Sequence, residues 1–261
     1  MPGATRAPTS ARSAARRARP LPCRAVPLKR RHRAVLFDLG GVVFPSPFEA
    51  FDRYDLRAGI PVGFTRSVVR VSSETGAWAA LERGELSIAE FHAALESEAE
   101  SAGHRIDASR VMATIGEEGG ARPAMLAAIG RLRAAGLRVG ALTNNWSDEH
   151  VASTSTGPDR LTGLLGVTGV HGDVGAGAGS PVDLFDAVVE SSKVGLRKPD
   201  PRIYELALER LGVTADVTIF LDDLGINLKP ARAMGMATIK VVDHLVALRE
   251  LGSLLDLELS G

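Results

Sequence analysis

The sequence has a single cysteine, few aromatic side chains and no long apolar run. Because Cys23 is the only cysteine, an internal disulfide is excluded, and a reducing compartment is expected. No stretch approaches the ~18–20 consecutive apolar residues of a membrane-spanning helix, so we expect no membrane insertion. Eight Phe, two Trp and two Tyr argue against the aromatic platforms that bind nucleic acid. The composition, 45% hydrophobic and 24% charged, is typical of a globular protein, which we expect in the cytoplasm.

Basic residues are concentrated at the N-terminus, although the formal net charge is zero. Residues 1–33 contain nine Arg, one Lys and no acidic residue, so the remaining chain has a net charge of −10. Prolines spread through this segment prevent one long helix, and we expect residues 1–33 to be a disordered basic tail. The Arg-rich, acid-free composition also fits a transit peptide for organelle import or an arm that contacts nucleic acid.

Five short, nearly continuous apolar runs follow the tail. Strands covered on both faces of a parallel sheet have this pattern, whereas half-exposed strands alternate polar and apolar residues. Helical patterns separate the later runs, which predicts a doubly wound α/β fold with a mainly parallel sheet of about five strands. The predicted strands are residues 34–37, 137–142, 185–189, 217–221 and 237–242, and the predicted helices are 123–135, 200–211 and 227–234.

A glycine directly follows each of these three predicted helices, at Gly136, Gly212 and Gly235. Glycine is the usual residue after a helix C-terminus because it adopts left-handed backbone angles without a steric penalty. The three glycines therefore support the predicted helix ends.

The first two predicted strands are separated by far more residues than one crossover helix needs. The intervening residues 46–120 have helical patterns, so we predict a helical cap inserted into a core that comprises residues 34–45 and 121–250. Residues 153–182 contain eight glycines and few large apolar side chains, and they are expected to be a flexible insertion within the core. Residues 251–261 are expected to be a C-terminal tail.

Within the predicted cap, several residues have an assigned local role. Ser87 and Glu90 have the spacing of a capping box, which predicts the start of a helix. Trp78 and Phe91 are expected to pack inside the cap rather than to stack on a ligand. Residues 82–85 (Glu-Arg-Gly-Glu) are interpreted as a polar turn between cap helices.

Polar residues that can bind ligands follow four of the predicted strands. Ligands of open parallel sheets bind outside the carboxyl ends of the strands, so we expect these side chains to share one crevice. Three carboxylates there would repel one another unless cations are present. A lysine supplies one positive charge, and Mg²⁺, which favours carboxylate, carbonyl, water and phosphate oxygens, would supply two more. The residues are Asp38 after the first strand, Thr143 and Asn144 after the second, Lys198 after the third, and Asp222, Asp223 and Asn227 after the fourth.

The order of these residues resembles the motifs of the haloacid dehalogenase superfamily, and the inserted helices resemble its α-helical cap. Two stretches, 185–204 and 219–241, are similar to the amino-terminal phosphatase domain of soluble epoxide hydrolase and to the matching domain of an acyl-CoA dehydrogenase family member. The resemblance covers about residues 34–250. The matching motifs are Asp-Leu-Gly-Gly-Val at 38–42, Leu-Thr-Asn at 142–144, Lys-Pro at 198–199 and Leu-Asp-Asp at 221–223.

The resemblance implies a Mg²⁺-dependent phosphatase that hydrolyses phosphomonoesters of small metabolites through a covalent aspartyl-phosphate. It implies that Asp38 is the nucleophile, a covalent strategy that divides one difficult displacement into two easier ones. It also implies that Mg²⁺ is held by the carboxylate of Asp38, the backbone carbonyl of Gly40 and Asp223, with Asp222 beside them.

The resemblance assigns the remaining residues to the phosphoryl group. The Thr143 hydroxyl and the backbone N–H of Asn144 would bind phosphoryl oxygens. Lys198 would bridge the nucleophile and the transferred group, and Asn227 would support Lys198 and the water shell of the metal. Phosphoryl transfer depends mostly on positioning and charge stabilisation, which such residues supply.

Gly40 departs from the pattern of the superfamily's phosphatases. In those enzymes the residue two positions after the nucleophile is usually a second Asp, which protonates the leaving alcohol and later activates water. Glycine offers the backbone carbonyl but no acid, and general acid–base catalysis contributes ~10²–10⁴-fold. We therefore expect either a preference for good leaving groups, such as acyl, aryl or anomeric sugar phosphates, or an acid supplied by the cap or by the substrate.

Two alternatives follow from the same departure. The protein could be a non-catalytic module that binds a phosphorylated metabolite, although a binding module does not need a nucleophile such as Asp38. It could also be a metal-independent haloacid dehalogenase, although that reaction does not need the acidic pair Asp222 and Asp223.

Overall fold

The sheet at the centre of the molecule has five parallel strands in the order β3-β2-β1-β4-β5. This confirms the predicted α/β fold with a parallel sheet. The structure is a computed structural model that describes residues 31–71, 74–117, 120–146 and 184–259. The strands are β1 (Ala34–Phe37), β2 (Arg138–Thr143), β3 (Ala187–Glu190), β4 (Thr218–Asp222) and β5 (Ala237–Lys240).

Helices cover both faces of the sheet, as the apolar strands require. Within the described residues, α1 to α5 precede β2 in the inserted segment, and α6 to α10 accompany the sheet. The helices are α1 (Pro47–Ala58), α2 (Phe64–Val71), α3 (Ala77–Glu82), α4 (Ile88–Ser101), α5 (Ala108–Gly116), α6 (Pro123–Ala134), α7 (Ser191–Val194), α8 (Pro201–Leu211), α9 (Gly225–Ala233) and α10 (His244–Leu255).

Alternate residues of β1 show how the two faces are covered. Val35 and Phe37 point to the face where α6 and α10 pack, whereas Ala34 and Leu36 point to the face covered by α8 and α9. Successive side chains of a strand lie on opposite faces. All four are therefore buried, which explains the continuous apolar run in the sequence.

The third strand begins two residues later than predicted, at Ala187 instead of residue 185. Asp186 accounts for the difference, because its backbone N–H donates to the Val139 carbonyl at 2.7 Å and its carboxylate accepts from the Val139 N–H at 2.8 Å. The side chain thus takes a bond that a strand backbone would make. Phe185 is still buried in the core.

The chain end also differs from the sequence-based expectation. The residues after 250 were expected to form a tail, but α10 continues to Leu255. Leu251, Leu255 and Leu259 are all buried in the core cluster. Their apolar side chains cover the sheet face beside α6, so the structured part of the chain extends to at least residue 259.

The three glycines after α6, α8 and α9 all have positive φ angles, as predicted: 81° at Gly136, 67° at Gly212 and 99° at Gly235. The helix boundaries agree with the sequence to within two residues. The glycines allow each chain segment to reverse toward the next strand.

Helices α1 to α5, which we call the cap, have a hydrophobic cluster of their own. Trp78 and Phe91 lie within it, with ring centroids 5.7 Å apart, so the expected role in cap packing is confirmed. The capping box of Ser87 and Glu90 at the start of α4 is also confirmed. Trp146, which follows β2, joins the cluster from the core. The exact division at residues 46 and 120 stays a prediction.

Two predicted segments lie outside the described residues. They are most of the basic tail at 1–33 and the glycine-rich insertion at 153–182. Among the residues that the structure describes, no helix combines the length and the apolar character needed to cross a bilayer.

Candidate active site

Asp38 lies directly after β1, at the centre of the carboxyl edge of the sheet. Its backbone N–H donates to the Leu221 carbonyl at 2.8 Å, which continues the pairing of β1 with β4. The Leu39 N–H donates to Asp38 Oδ1 at 2.7 Å and fixes the carboxylate orientation. The residue is buried, so its negative charge requires compensation nearby.

Lys198 supplies that compensation. Its Nζ lies 2.8 Å from Asp38 Oδ1 and 2.7 Å from Asp222 Oδ2, and the side chain is 1% exposed. It also lies 5.5 Å from the ring centroid of Phe220. Burial alone would lower the pKa of Lys198, but attraction to Asp222 and Asp38 outweighs it and raises the pKa. Lys198 is therefore a permanent cation between two carboxylates.

Asp222, the last residue of β4, has both carboxylate oxygens engaged by donors. Oδ2 accepts from Lys198 Nζ at 2.7 Å, and Oδ1 accepts from the Leu224 N–H at 2.8 Å. Asn227 Nδ2 donates to both oxygens at 3.1 Å. This fully buried carboxylate is thus the partner that holds Lys198 and Asn227 in place.

Asn227 lies in the first turn of α9 and was expected to support Lys198. The structure gives it an indirect route, since its amide bonds Asp222, which in turn accepts from Lys198. Its backbone carbonyl accepts the Tyr204 hydroxyl hydrogen bond at 2.7 Å. Asn227 is therefore anchored on both sides beneath the carboxylates.

Asp38, Asp222 and Asp223 form a cluster in which one oxygen from each carboxylate lies within 4.8 Å of the others. Burial raises the pKa of Asp38 well above its usual range, with Lys198 opposing the shift and Asp222 and Asp223 adding to it. Burial and then the charge of Asp222 raise the pKa of Asp223 to about 6. Three carboxylates against one lysine leave a negative charge that a divalent cation would neutralise. The oxygen donor set fits Mg²⁺.

Position 41 requires a glycine, because its backbone lies very close to the Asp223 side chain of this cluster. Its φ is +78°, and a Cβ atom there would lie 2.2 Å from Asp223 Oδ2. The neighbouring Gly40 differs, because a Cβ atom would meet only Pro47 Cδ, at the ordinary contact distance of 3.6 Å. Steric constraint therefore explains glycine at position 41 and leaves position 40 open to a side chain.

Thr143 ends β2 and Asn144 follows it, and both lie beside Asp38, since Ala141 pairs with Phe37 in the sheet. Thr143 is fully buried. The Asn144 side chain binds the Lys198 main chain: its Oδ1 accepts from the Lys198 N–H at 2.8 Å, and its Nδ2 donates to the Lys198 carbonyl at 3.0 Å. The structure thus brings the residues predicted after β2 and β3 together.

Asn145 has a role that the sequence analysis missed. Its backbone N–H donates to Ser191 Oγ at 2.9 Å, and its amide donates to Glu190 Oε1 at 3.0 Å. Its Oδ1 accepts from Ser192 Oγ at 3.0 Å. These bonds fasten the end of β2 to the end of β3 and to the start of α7, which precedes Lys198. Three consecutive polar residues after a buried strand were the available signal.

The interpretation of residues 82–85 as a polar turn is wrong for Glu82. This residue is the last of α3 and is buried. It accepts from Trp78 Nε1 at 2.9 Å and from Arg197 Nε at 2.8 Å. The sequence contains the helical spacing of Trp78 and Glu82, but nothing local indicates a partner as distant as Arg197.

The parallel sheet has an aspartate, a buried lysine and an acidic pair at its carboxyl edge, and a group of helices is inserted after its first strand. This combination defines a haloacid dehalogenase-like hydrolase. Residues 32–235 match that hydrolase family. The chain belongs to the haloacid dehalogenase-like hydrolases.

The chain is also similar in sequence to two known proteins. The chain is 34% identical over 231 residues to acyl-CoA dehydrogenase family member 10 of Mus musculus, covering 87% of this chain and 19% of that protein. It is 32% identical over 228 residues to bifunctional epoxide hydrolase 2 of Sus scrofa, covering 84% of this chain and 38% of that protein. The chain thus spans less than half the length of these relatives.

Among solved structures, the fold is similar to that of a haloacid dehalogenase family enzyme from Bacteroides thetaiotaomicron in complex with magnesium and inorganic phosphate. The TM-score is 0.52 with 21% identity, covering 80% of this chain and 93% of the other. This likeness establishes the fold.

Proposed function

We propose that the protein is a Mg²⁺-dependent phosphatase that hydrolyses a small phosphomonoester through an aspartyl-phosphate on Asp38. The observation that carries the proposal is the position of Lys198 Nζ, 2.8 Å from Asp38 and 2.7 Å from Asp222, beside the third carboxylate of Asp223. This arrangement combines a carboxylate nucleophile, a fixed cation and a site for a divalent ion.

Asp38 is assigned as the nucleophile because its orientation is fixed. The Leu39 N–H and Lys198 both bond Oδ1, so the carboxylate cannot turn away from the crevice. A carboxylate oxygen attacks phosphorus, the ester P–O bond breaks, and the leaving alkoxide departs. Water then attacks the same phosphorus, the P–O bond to Asp38 breaks, and the carboxylate is restored as inorganic phosphate and a proton leave.

The phosphoryl oxygens are assigned to the residues at the end of β2 and to Lys198. The Thr143 hydroxyl, which donates to the Asn144 carbonyl at 3.3 Å in the structure, and the backbone N–H of Asn144 would donate to these oxygens, and Lys198 would add a positive charge. Donors fixed before the reaction stabilise the developing charge without reorganisation. The hydrogen bonds between the Asn144 side chain and the Lys198 main chain support this role, because they fix the relative positions of the two residues.

Mg²⁺ is assigned to Asp38, Asp223 and the backbone carbonyl of Gly40, with Asp222 alongside. When bound, the ion neutralises carboxylate and phosphate charge. Asp222 already accepts bonds from Lys198 and Asn227, so we infer that its main contribution is to hold these residues. The pKa values of Asp38 and Asp223 are raised first by burial and then by the neighbouring carboxylates, with Lys198 opposing the shift, which supports the proposal because a bound cation would stabilise the ionised form of both groups.

The substrate class follows from Gly40, which has no acid to protonate a departing alkoxide. Esters with good leaving groups, such as acyl, aryl or anomeric sugar phosphates, depend least on such an acid. Two relatives support phosphate chemistry: a solved structure of this fold contains magnesium and inorganic phosphate, and a relative 40% identical over 72 residues is a sesquiterpene phosphatase of Aspergillus oryzae.

The test is release of inorganic phosphate from a panel of phosphorylated metabolites and p-nitrophenyl phosphate, with Mg²⁺, for the native protein and Asp38→Asn. Asparagine keeps the shape of the side chain but is not a carboxylate nucleophile. We expect the native protein alone to release phosphate, and EDTA to abolish the release. Equal rates for the two proteins across the panel would refute the proposal.

The second candidate, a non-catalytic module that binds a phosphorylated metabolite, is favoured by the absence of an acid at Gly40. Beryllium fluoride with Mg²⁺ separates the two functions, because it forms an adduct with a carboxylate competent for phosphorylation. An adduct on Asp38 supports the phosphatase, and its absence together with metabolite binding supports the module. Activity on a haloacid that resists EDTA would instead indicate a dehalogenase.

A further inference from the structure

An ion pair joins the cap to the core directly beside the lysine of the candidate active site. Glu82 ends α3 of the cap, and Arg197 precedes Lys198 in the loop that leads to α8. Glu82 Oε2 lies 2.8 Å from Arg197 Nε and 2.7 Å from the terminal NH2 group. The two side chains are 9% and 17% exposed. The planar guanidinium thus presents two donors to one buried carboxylate.

The same carboxylate reaches the other residue that holds the lysine. Asn144 Nδ2 lies 3.4 Å from Glu82 Oε2, and this amide also binds the Lys198 carbonyl at 3.0 Å. Asn144 Oδ1 accepts from the Lys198 N–H at 2.8 Å. The main chain of Lys198 is therefore held by one neighbour in sequence, Arg197, and one neighbour in space, Asn144, and both contact Glu82.

A second contact shows that the end of α3 is seated on the core. Gly84, two residues after Glu82, has a φ of +70°, and a Cβ atom there would lie 2.5 Å from the Ser192 carbonyl oxygen. Any larger residue would push the cap away. Ser192 is itself bonded to Asn145, so the cap rests on α7, between β3 and Lys198.

We propose that Glu82 is a positioning residue for the reaction, holding Lys198 against Asp38 through Arg197 and Asn144 when the cap is seated on the core. The inference rests on the proposed function, which assigns Lys198 to the transferred phosphoryl group. Small displacements of such a group are costly, because a misplacement of about 1 Å can reduce a rate ~10²-fold. Because the Lys198 side chain is 1% exposed and lies between two carboxylates, it cannot move far enough to compensate for a displaced main chain.

The test uses Glu82→Gln, Arg197→Gln and the double variant, assayed with p-nitrophenyl phosphate and Mg²⁺. Glutamine at position 82 keeps an oxygen for the Trp78 indole but turns an amide donor toward the donors of Arg197. We expect kcat to fall about ten- to a hundredfold with a much smaller change in KM. Because both residues act through one contact, the double variant is expected to lose no more than the worse single variant.

Glu85→Gln is the matched control. It removes a carboxylate three residues further on, from an exposed pair with Arg83 inside the cap, and it is expected to leave kcat unchanged. Thermal unfolding of every variant separates positioning from folding, since a structural role alone would lower the melting temperature without lowering kcat per folded molecule.

The outcomes separate this inference from the proposed function. If the native protein is active, Asp38→Asn is inactive and Glu82→Gln retains the native kcat, the positioning role is wrong and the phosphatase stands. If the native protein and Asp38→Asn are equally inactive, both fail. Additive losses in the double variant would also overturn the inference, because they would mean that Glu82 and Arg197 act separately.

Discussion

Replacing Gly40 by aspartate tests whether the missing acid limits hydrolysis of unactivated phosphate esters. Position 40 accepts a side chain, because a Cβ atom would contact only Pro47 Cδ at 3.6 Å and Gly40 is not among the glycines with positive φ. The change therefore adds a carboxyl group two residues after Asp38 without forcing the backbone to move.

The expected magnitude follows from the role of the added group. General acid–base catalysis contributes ~10²–10⁴-fold, which corresponds to about 3–5 kcal/mol of activation free energy. A nitrophenolate departs readily without a proton, whereas an alkoxide gains the full effect. We therefore expect Gly40→Asp to raise kcat/KM for an alkyl phosphate by about a hundredfold or more while p-nitrophenyl phosphate changes little.

The assay is the ratio of kcat/KM for the two substrates, since this parameter covers only the steps up to formation of the covalent enzyme. Gly40→Asn is the matched control, because it has the same shape as aspartate but no acidic proton. A ratio that is unchanged in Gly40→Asp, or raised equally in Gly40→Asn, would refute the idea that Gly40 sets the leaving-group preference.

Two further predictions concern the carboxylate cluster. Gly41→Ala, with a Cβ atom placed 2.2 Å from Asp223 Oδ2, should displace Asp223 and weaken Mg²⁺ binding at least tenfold (about 1.4 kcal/mol) by calorimetry; unchanged affinity would contradict the assigned metal site. Because the pKa of Asp223 is raised to about 6, protons compete with the ion, so Mg²⁺ affinity should increase as the pH rises through 6 and then level off. In the metal-free protein, a rise in pH has the opposite effect and lowers the stability that Asp223 contributes, since the folded state holds the Asp223 proton more tightly than the unfolded chain does. This carboxyl's contribution to the free energy of unfolding therefore grows as the pH falls from about 7 toward 4, and a Mg²⁺-induced shift in melting temperature that is equal at pH 5 and pH 7.5 would contradict both statements.

The sheet was predictable because burial on both faces leaves a direct trace in the sequence. Residues 34–37 are apolar without interruption, and all four are buried. The predicted element boundaries were wrong in two situations. In one, a side chain competes with the backbone for a hydrogen bond; in the other, apolar residues continue beyond the predicted end of the core. Asp186 delays the start of β3 by bonding Val139, and the leucines after residue 250 pack in the core.

The candidate site was predictable as far as topology brings strand ends together. Asp38 follows β1 and Asp222 ends the neighbouring β4, whereas Lys198 reaches both carboxylates from the segment between α7 and α8. The pairing of Glu82 with Arg197 was not predictable, because it joins the cap to the core across 115 positions. Neither residue has a neighbouring pattern that distinguishes it from a solvated surface charge.

The distribution of hydrogen bonds among the carboxylates favours a metal-dependent reaction over its metal-independent alternative. Lys198 and Asn227 both bond Asp222, so the lysine charge is shared between Asp222 and Asp38, and the pKa of Asp223 stays raised although Lys198 opposes the shift. Asp223 is half-buried, and partial burial of a carboxylate costs free energy unless it is protonated or paired with a cation. A reaction that needed only the nucleophile and the lysine would gain nothing from Asp223. Its close contact with Gly41, where a Cβ atom would lie 2.2 Å from Asp223 Oδ2, fixes the carboxylate beside Asp38 and supports the proposed metal site.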